Sequence, residues 1–300
     1  MSYCKKILIT GSNGMLGKDL TSLFSKNDNF EVFGINRSND INLKDDHYFV
    51  CDITDFEELN NILKYINPEI IIHCAANVNV DGCEKDKNYA YKLNSESTKI
   101  LSSYKSEKTK FIYISTDSIF NGETGNYKED DKANPLNYYA FSKFEGENFA
   151  LLQNKNAIII RTNIYGFHKP YGSSLVEWAL KNLKSENKIS GFNDVYFNPI
   201  YTGQLGKIVM KLIQIDYKGI IHTGCENFIN KYEFLIRIAQ KFGLNNELID
   251  ESSVDSINFS ARRPKNTTLN ITKLKGLIDF TITLEDGLNQ LYMDYINLKE

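Results

Sequence analysis

A tyrosine and a lysine four residues apart, in Tyr139-Ala140-Phe141-Ser142-Lys143, are the pair in this 300-residue chain best suited to moving a proton. On a helix, positions i and i+4 share a face. An ammonium beside a phenol favours phenolate, so Lys143 is expected to lower the Tyr139 pKa from about 10 toward working pH. Such a phenol gives its proton to the alkoxide formed when a carbonyl is reduced, and accepts it in the reverse direction. Upstream, an apolar run ends in Ser115-Thr116-Asp117. The Thr116 hydroxyl would hold the carbonyl oxygen by a hydrogen bond, as an oxyanion donor does. The Tyr-x-x-x-Lys pattern alone proves little. It also occurs at Tyr104/Lys108, Tyr165/Lys169 and Tyr295/Lys299, and with lysine at about one residue in ten, about two matches are expected by chance. Only the Tyr139 pair follows a run ending in Ser-Thr and opens a long helical stretch after a Pro-bearing loop, Asn134-Pro135-Leu136. Position selects it.

A second constellation lies at the start of the chain. Ile7-Leu8-Ile9-Thr10 runs into Gly11-Ser12-Asn13-Gly14-Met15-Leu16-Gly17 and then a helical stretch. Gly11 permits a tight strand-to-helix turn, Gly14 lets the backbone approach a pyrophosphate, and Gly17 lets the helix pack closely on the sheet. The helix N-terminus offers unpaired N–H groups to the anion. Asn13, Met15 and Leu16 fall within the same turn, whose spacing is G-x-x-G-x-x-G. After the next strand comes Gly34-Ile35-Asn36-Arg37-Ser38. An acid there would bond the ribose 2′-hydroxyl of NAD, whereas an Arg accommodates the 2′-phosphate of NADP. Arg37 is one of only five arginines, which favours NADPH, with NADH and a merely solvated Arg37 as the alternatives. Asp52-Ile53 follows the third strand; Asp52 either bonds the adenine amino group or caps a helix, a role that Thr54 and Asp55 fit better. Small residues at Cys74-Ala75-Ala76-Asn77 leave room for ribose and phosphates.

The elements that must position these residues follow from apolar periodicity. Strands are expected near 6–10, 30–35, 48–51, 69–73, 110–115 and 157–161, alternating with helices near 15–25, 56–65, 89–103 and 138–153. That alternation implies right-handed crossovers and a doubly wound parallel sheet in an α/β protein. Ile70-Ile71-Ile72 is apolar at consecutive positions, as in a strand covered on both faces. Beyond residue 165 the pattern loosens. Helices are expected near 172–185, 201–215 and 231–242, a strand near 218–222, and weak periodicity at 186–199 and 245–270. Residues 1–165 are expected to be mainly the dinucleotide-binding domain. Residues 166–300 would be mainly a smaller, interleaved substrate lobe, with the chain near 200–225 returning to the first domain.

Composition bounds the function. The chain is 42% hydrophobic and 24% charged with a net charge of -3, which argues for a globular protein and against a nucleic-acid partner. Five cysteines, Cys4, Cys51, Cys74, Cys83 and Cys225, include no C-x-x-C pair and suit reduced thiols in the cytoplasm. No charged leader precedes the first strand, and no apolar run approaches the roughly 18 residues of a membrane helix. No His pair has metal-ligand spacing, so no catalytic metal is expected.

With those residues in hand, the chain resembles the dTDP-4-dehydrorhamnose reductase family, a branch of the extended short-chain dehydrogenases. The marks are Asn79-Val80-Asp81-Gly82-Cys83-Glu84, Ser115-Thr116-Asp117-Ser118-Ile119-Phe120-Asn121-Gly122 and Pro135-Leu136-Asn137-Tyr138-Tyr139. To these are added Phe197-Asn198-Pro199-Ile200-Tyr201-Thr202 and Arg263-Pro264-Lys265-Asn266-Thr267-Thr268-Leu269-Asn270. The resemblance implies a Rossmann domain and a catalytic set of Thr116, Tyr139 and Lys143, the last two also touching the cofactor. Asn94 matches a position that organises the site and is grouped with the cofactor residues. On the substrate side it implies Asp117 and Arg263, with Arg263 reaching the phosphates of a nucleotide sugar; Val78, Asn163 and Trp178 are further candidates there. A homodimer is left open.

Three departures concern the substrate. Ser118 stands where the family usually has Tyr, Asn270 where Asp is usual, and Arg161-Thr162-Asn163-Ile164-Tyr165-Gly166 differs from rhamnose-pathway members. Asn270 suits a turn. Trp178 fits core packing or base stacking. His73 and His222 suit buried, hydrogen-bonded roles, and Glu123, Glu129, Asp130 and Asp131 suit a solvated loop or a cover over the site. The expected function is NADPH-dependent reduction of a 4-keto nucleotide-activated deoxysugar. The rivals are an epimerase or dehydratase with retained NAD, and a non-catalytic nucleotide-binding regulatory subunit.

Overall fold

Strands whose every side chain is apolar, such as Ile70-Ile71-Ile72 and Ile158-Ile159-Ile160, are stable only between two helical layers, and that is where they sit. The computed structural model describes residues 4–38, 46–168 and 172–297. The first half comprises β1 (Lys5–Thr10), α1 (Met15–Ser25), β2 (Phe30–Asn36), β3 (Tyr48–Val50), α2 (Phe56–Ile66) and β4 (Ile70–His73). There follow α3 (Val80–Lys85), α4 (Lys87–Tyr91), α5 (Ser97–Ser103), β5 (Lys110–Ile114), α6 (Tyr138–Gln153) and β6 (Ile158–Arg161). The later chain adds β7 (Asn163–Tyr165), α7 (Leu175–Lys184), β8 (Ile189–Phe192), β9 (Tyr196–Phe197), β10 (Pro199–Tyr201) and α8 (Thr202–Gln214). It closes with β11 (Gly219–His222), β12 (Ile229–Asn230), α9 (Lys231–Lys241), β13 (Ile249–Ser252), α10 (Thr272–Lys275) and α11 (Leu284–Asn297).

The large sheet has seven parallel strands in the order β11-β6-β5-β4-β1-β2-β3. Its direction of winding reverses between β1 and β4, so a crevice opens at the C-terminal ends of those two strands. One face of the sheet buries Ile7, Ile9, Ile72 and Ile112 under α1 and α8. The other buries Leu8, Ile71, Phe111 and Tyr113 against Leu59, Leu63 and Leu101 of α2 and α5. A separate core around Val176, Phe197, Tyr201, Phe234 and Leu291 builds the smaller lobe. Its strands pair only two by two: β7 with β10, β9 with β12, and β8 with β13. Between lobe segments the chain rejoins the sheet, where α8 packs on α1 and β11 pairs with β6.

The helix expected at 89–103 is a composite. Between α4 and α5, residues Lys92–Glu96 form a π-helical turn. At its centre Asn94 is fully buried, and its carbonyl accepts the hydroxyls of Thr98 at 2.7 Å and Tyr113 at 3.1 Å. The wider turn releases that carbonyl from ordinary helical bonding. The weakly periodic 186–199 and 245–270 contain strands of two to four residues, too short to leave a period. Among the described residues no helix is long and apolar enough to cross a membrane. Lys169 and Lys299, partners in two of the chance Tyr-x-x-x-Lys matches, lie outside the described residues.

Candidate active site

The crevice at the winding reversal is a cavity of about 510 Å³ floored by the glycine turn. Gly11 has φ +67°, a left-handed conformation that costs a side-chain-bearing residue energy. A Cβ on Gly17 would lie 2.0 Å from the Gly11 carbonyl oxygen, so the helix meets the turn at a distance only glycine allows. Helix α1 has no side-chain N-cap and no acid in its first turn. Its leading N–H groups therefore need an acceptor from elsewhere, and an anion such as a pyrophosphate supplies one. These features fit a dinucleotide.

Asn36, at the end of β2, stabilises the turn: it accepts the Asn13 N–H at 2.7 Å and donates to the Ser12 hydroxyl at 2.8 Å. Arg37 follows, exposed at the lip. Asp52 lines the cavity with Ile53 and is not the cap of α2. Its carboxylate accepts the Thr54 N–H and hydroxyl at 3.0 and 2.8 Å, while Asp55 caps the helix. Ala75 and Ala76 form the opposite wall. Two expectations change here. Asn94, grouped with the cofactor residues, has no exposed surface and is engaged by Asn77 and Ser142. It supports the wall from behind. Val78, assigned to the substrate, is 69% exposed and lines the dinucleotide cavity.

Thr116 lies between Ile114, which lines this cavity, and Ser118, which lines a second one. It is buried, its hydroxyl donates to the Asp117 carboxylate at 3.2 Å, and the phenol of Tyr139 lies beside it. Helix α6 begins there because Asn137 caps it, accepting the Ala140 N–H at 2.9 Å. The other side of the Asn137 amide donates to the Arg262 carbonyl at 2.8 Å, tying the helix start to the Arg-Pro segment of the lobe. Lys143, one turn on, is buried. Its ammonium donates to the Ile114 carbonyl at 2.7 Å and lies 4.0 Å from the centre of the Tyr113 ring.

The electrostatics reverse the expected direction for Tyr139. Burial pushes its pKa up to about 12; the Thr116 hydrogen bond opposes this, and the Asp117 carboxylate adds to it. Burial also brings the Lys143 ammonium down to about 7, against the pull of the Glu147 carboxylate. The sequence expectation counted the neighbouring charge and not the loss of water around both groups. In the fold, Tyr139 is a firmly protonated acid.

Glu147 went unrecognised in the sequence. It extends the Tyr139–Lys143 face by one more turn and is 1% exposed. Arg161, at the end of β6, grips both of its oxygens with Nε and Nη2 at 2.9–3.2 Å, and the Ser115 hydroxyl donates to Oε1. A carboxylate four residues beyond Lys143 was the available signal. His73 is buried as expected, bonding Thr10 Oγ1 at 2.6 Å and stacked on Tyr113. Burial and then the Lys143 charge hold it well below its ordinary pKa, so it is neutral. His222 is also buried, with Nδ1 2.9 Å from the Tyr127 carbonyl oxygen. Glu129 of the acidic loop accepts the His222 N–H and offers its carbonyl to Arg161, which pins that part of the loop to the sheet.

The second cavity, about 720 Å³, lies in the lobe. β7 separates the two: Asn163 faces the lobe cavity and Ile164 the dinucleotide cavity. Trp178 lines it at 39% exposure, so the core-packing alternative fails. Asp117, expected to touch substrate, is 1% exposed. Its oxygens are filled by Thr267 at 2.6 Å, Asn163 at 2.8 Å, and Thr116 and Ser118 at 3.2 Å. It orders the residues that face the cavity. Arg263 lines the cavity, but its Nη2 pairs with Asp81 at 2.6 Å and its Nη1 bonds the Ala261 carbonyl. The guanidinium thus clasps the lobe to α3. Asn270 accepts the Thr272 N–H at 3.0 Å, a turn role.

Comparison with known proteins gives three likenesses and a family. The family described as RmlD substrate binding domain matches residues 5–296. A dTDP-4-dehydrorhamnose reductase of Aggregatibacter actinomycetemcomitans is 29% identical over 284 residues, covering 90% of this chain and 92% of that one. A crystal structure of dTDP-4-dehydrorhamnose reductase from Bacillus anthracis in complex with NADP superposes with a TM-score of 0.86. It is 26% identical, covering 97% of this chain and 99% of that one. The methionine adenosyltransferase 2 subunit beta of Danio rerio is 27% identical over 282 residues, covering 91% of this chain and 85% of that one.

Proposed function

The chain belongs to the RmlD substrate binding domain family and is an NAD(P)-dependent oxidoreductase, and from that premise we propose that it uses NADPH to reduce the 4-keto group of a nucleotide-activated deoxysugar. The observation that carries this is that Thr116 lies between Ile114, which lines the dinucleotide cavity and whose carbonyl accepts from Lys143, and Ser118, which lines the lobe cavity of about 720 Å³.

The glycine turn and the first amides of α1 would hold the pyrophosphate, with Arg37 at the adenosine 2′-phosphate and Asp52 near the adenine. A bound nicotinamide supplies the two-electron reductant. The chain's own residues then handle the oxygen. The Thr116 hydroxyl hydrogen-bonds the substrate carbonyl and stabilises the charge that develops on it. Tyr139, kept protonated at working pH by the loss of water around its phenol, donates its proton to that oxygen. The phenolate left behind is stabilised by Lys143 in its ammonium form, which Glu147 helps to maintain. Ser115 and Arg161 hold Glu147 in place.

The test is the loss of NADPH absorbance with a panel of nucleotide 4-keto sugars. Turnover with at least one is expected; no turnover with any, using protein shown to bind NADPH, would remove the reading. The likeness to methionine adenosyltransferase 2 subunit beta supports a second reading, a regulatory subunit. A Tyr139→Phe protein that retained full biological activity would favour it.

A further inference from the structure

The lobe cavity contains a cation that the protein itself leaves without an anion. Lys231 is the first residue of α9, partly buried, and it lines the cavity. Its ammonium lies 3.6 Å from the centre of the Phe197 ring. Among the described residues no carboxylate pairs with it, and no oxygen accepts a hydrogen bond from its Nζ. Burial brings its pKa down to about 8, opposed only by the charge of Asp117, whose own oxygens are already filled. The position is unfavourable in a third way, because a cation at a helix N-terminus opposes the helix dipole.

The neighbouring cations are placed differently. Arg263 is held by Asp81, and Lys265 is paired with both Asp194 and Asp255. Lys188 is exposed to water. Phe192, Phe197, Phe259 and Trp178 give the cavity an aromatic, apolar lining. In such surroundings a single ammonium with open hydrogen-bonding positions attracts an anion far more strongly than it would in water. A nucleotide-linked sugar brings one anionic group, the diphosphate, between two uncharged rings.

Resting on the nucleotide-sugar reading above, we propose that Lys231 is the residue that binds the substrate's diphosphate, a role first assigned to Arg263, which serves instead to clasp the lobe to α3. Lys231 is therefore a substrate-binding residue supplied by the lobe, about 90 positions from the catalytic pair in the chain.

Calorimetric titration of UDP and dTDP, with uridine and thymidine as uncharged controls, tests this on wild type, Lys231→Met, Lys231→Gln and Lys231→Arg. The wild type is expected to bind at least one diphosphate. Both neutral variants should weaken that binding by about tenfold or more, as loss of a charge-assisted contact does. Lys231→Arg should restore most of it, with nucleoside and NADPH affinities unchanged throughout. The melting temperature of Lys231→Met should equal or exceed that of wild type. Diphosphate affinity unchanged in the neutral variants overturns the proposal. So does a parallel loss of nucleoside and diphosphate binding with a lowered melting temperature, which would make Lys231 structural. A wild type that binds NADPH but neither diphosphate instead refutes the nucleotide-sugar reading itself.

Discussion

The two cavities on either side of β7 are built from different materials. The dinucleotide cradle is largely backbone: a turn whose Gly11 has positive φ, a helix end with no side-chain cap, and small residues at the end of β4. Its parts come mostly from one short stretch, Gly11 to Gly17, backed by the ends of β2 and β4. The lobe cavity is made of side chains from α7, β8, β9, α9 and the Arg-Pro segment. Backbone surfaces suit a ligand whose shape does not vary, since amides can serve pyrophosphate with no particular side chain. Side-chain surfaces change with each substitution, which is where relatives sharing one fold can diverge in substrate.

This contrast can be broken at several points. Tyr139→Phe should cost the most, lowering kcat by about 1,000-fold in the NADPH absorbance assay. Cofactor and nucleotide dissociation constants should stay where they are; a loss below tenfold would mean that proton donation lies elsewhere. Gly17→Ala should come next. Its methyl would overlap the Gly11 carbonyl, so NADPH affinity should fall by about 100-fold, while UDP and dTDP still bind the lobe. Equal losses at both cavities would show that they are not independent.

Lys143 predicts a pH dependence. Its pKa is lowered to about 7, so the ammonium proposed to stabilise a Tyr139 phenolate is present below that pH and lost above it. For reduction, kcat/KM should therefore fall about tenfold per unit as pH rises through 7. Lys143→Met should be slow and lack that inflection, which a pH–rate profile would reveal. Arg37→Ala should weaken NADPH by about tenfold and leave NADH unchanged, since only the 2′-phosphate distinguishes them. Unchanged constants for both would remove the case for NADPH. The smallest effect is expected at Trp178→Ala, where KM should rise by about threefold with kcat retained. Because Trp178 is 39% exposed, the melting temperature should move little.

Legibility follows the range of each interaction. The alternation of strands and helices, the glycine turn and the Tyr139–Lys143 face could be recognised because each depends on neighbours within about one helical turn or strand step. The π-helical turn at Asn94 could not, since its buried centre is held by groups from distant elements: the Tyr113 hydroxyl of β5, the Ser142 hydroxyl of α6 and the Asn77 N–H of the loop after β4. Glu147 was hidden for the same reason: its partner Arg161 lies on another element. Asp117 was recognised as important but misassigned. Residue type could not reveal that four protein donors already fill its carboxylate.

By itself the sequence determined the alternation of strands and helices, the glycine turn and the helix face shared by Tyr139 and Lys143, because periodicity and glycine placement are local properties of the chain. Tertiary structure alone decided the protonation of Tyr139 and Lys143 and which cations remain free in the lobe. A pKa depends on how much water is excluded and which charges come near, and both are set by residues distant in sequence that folding brings together.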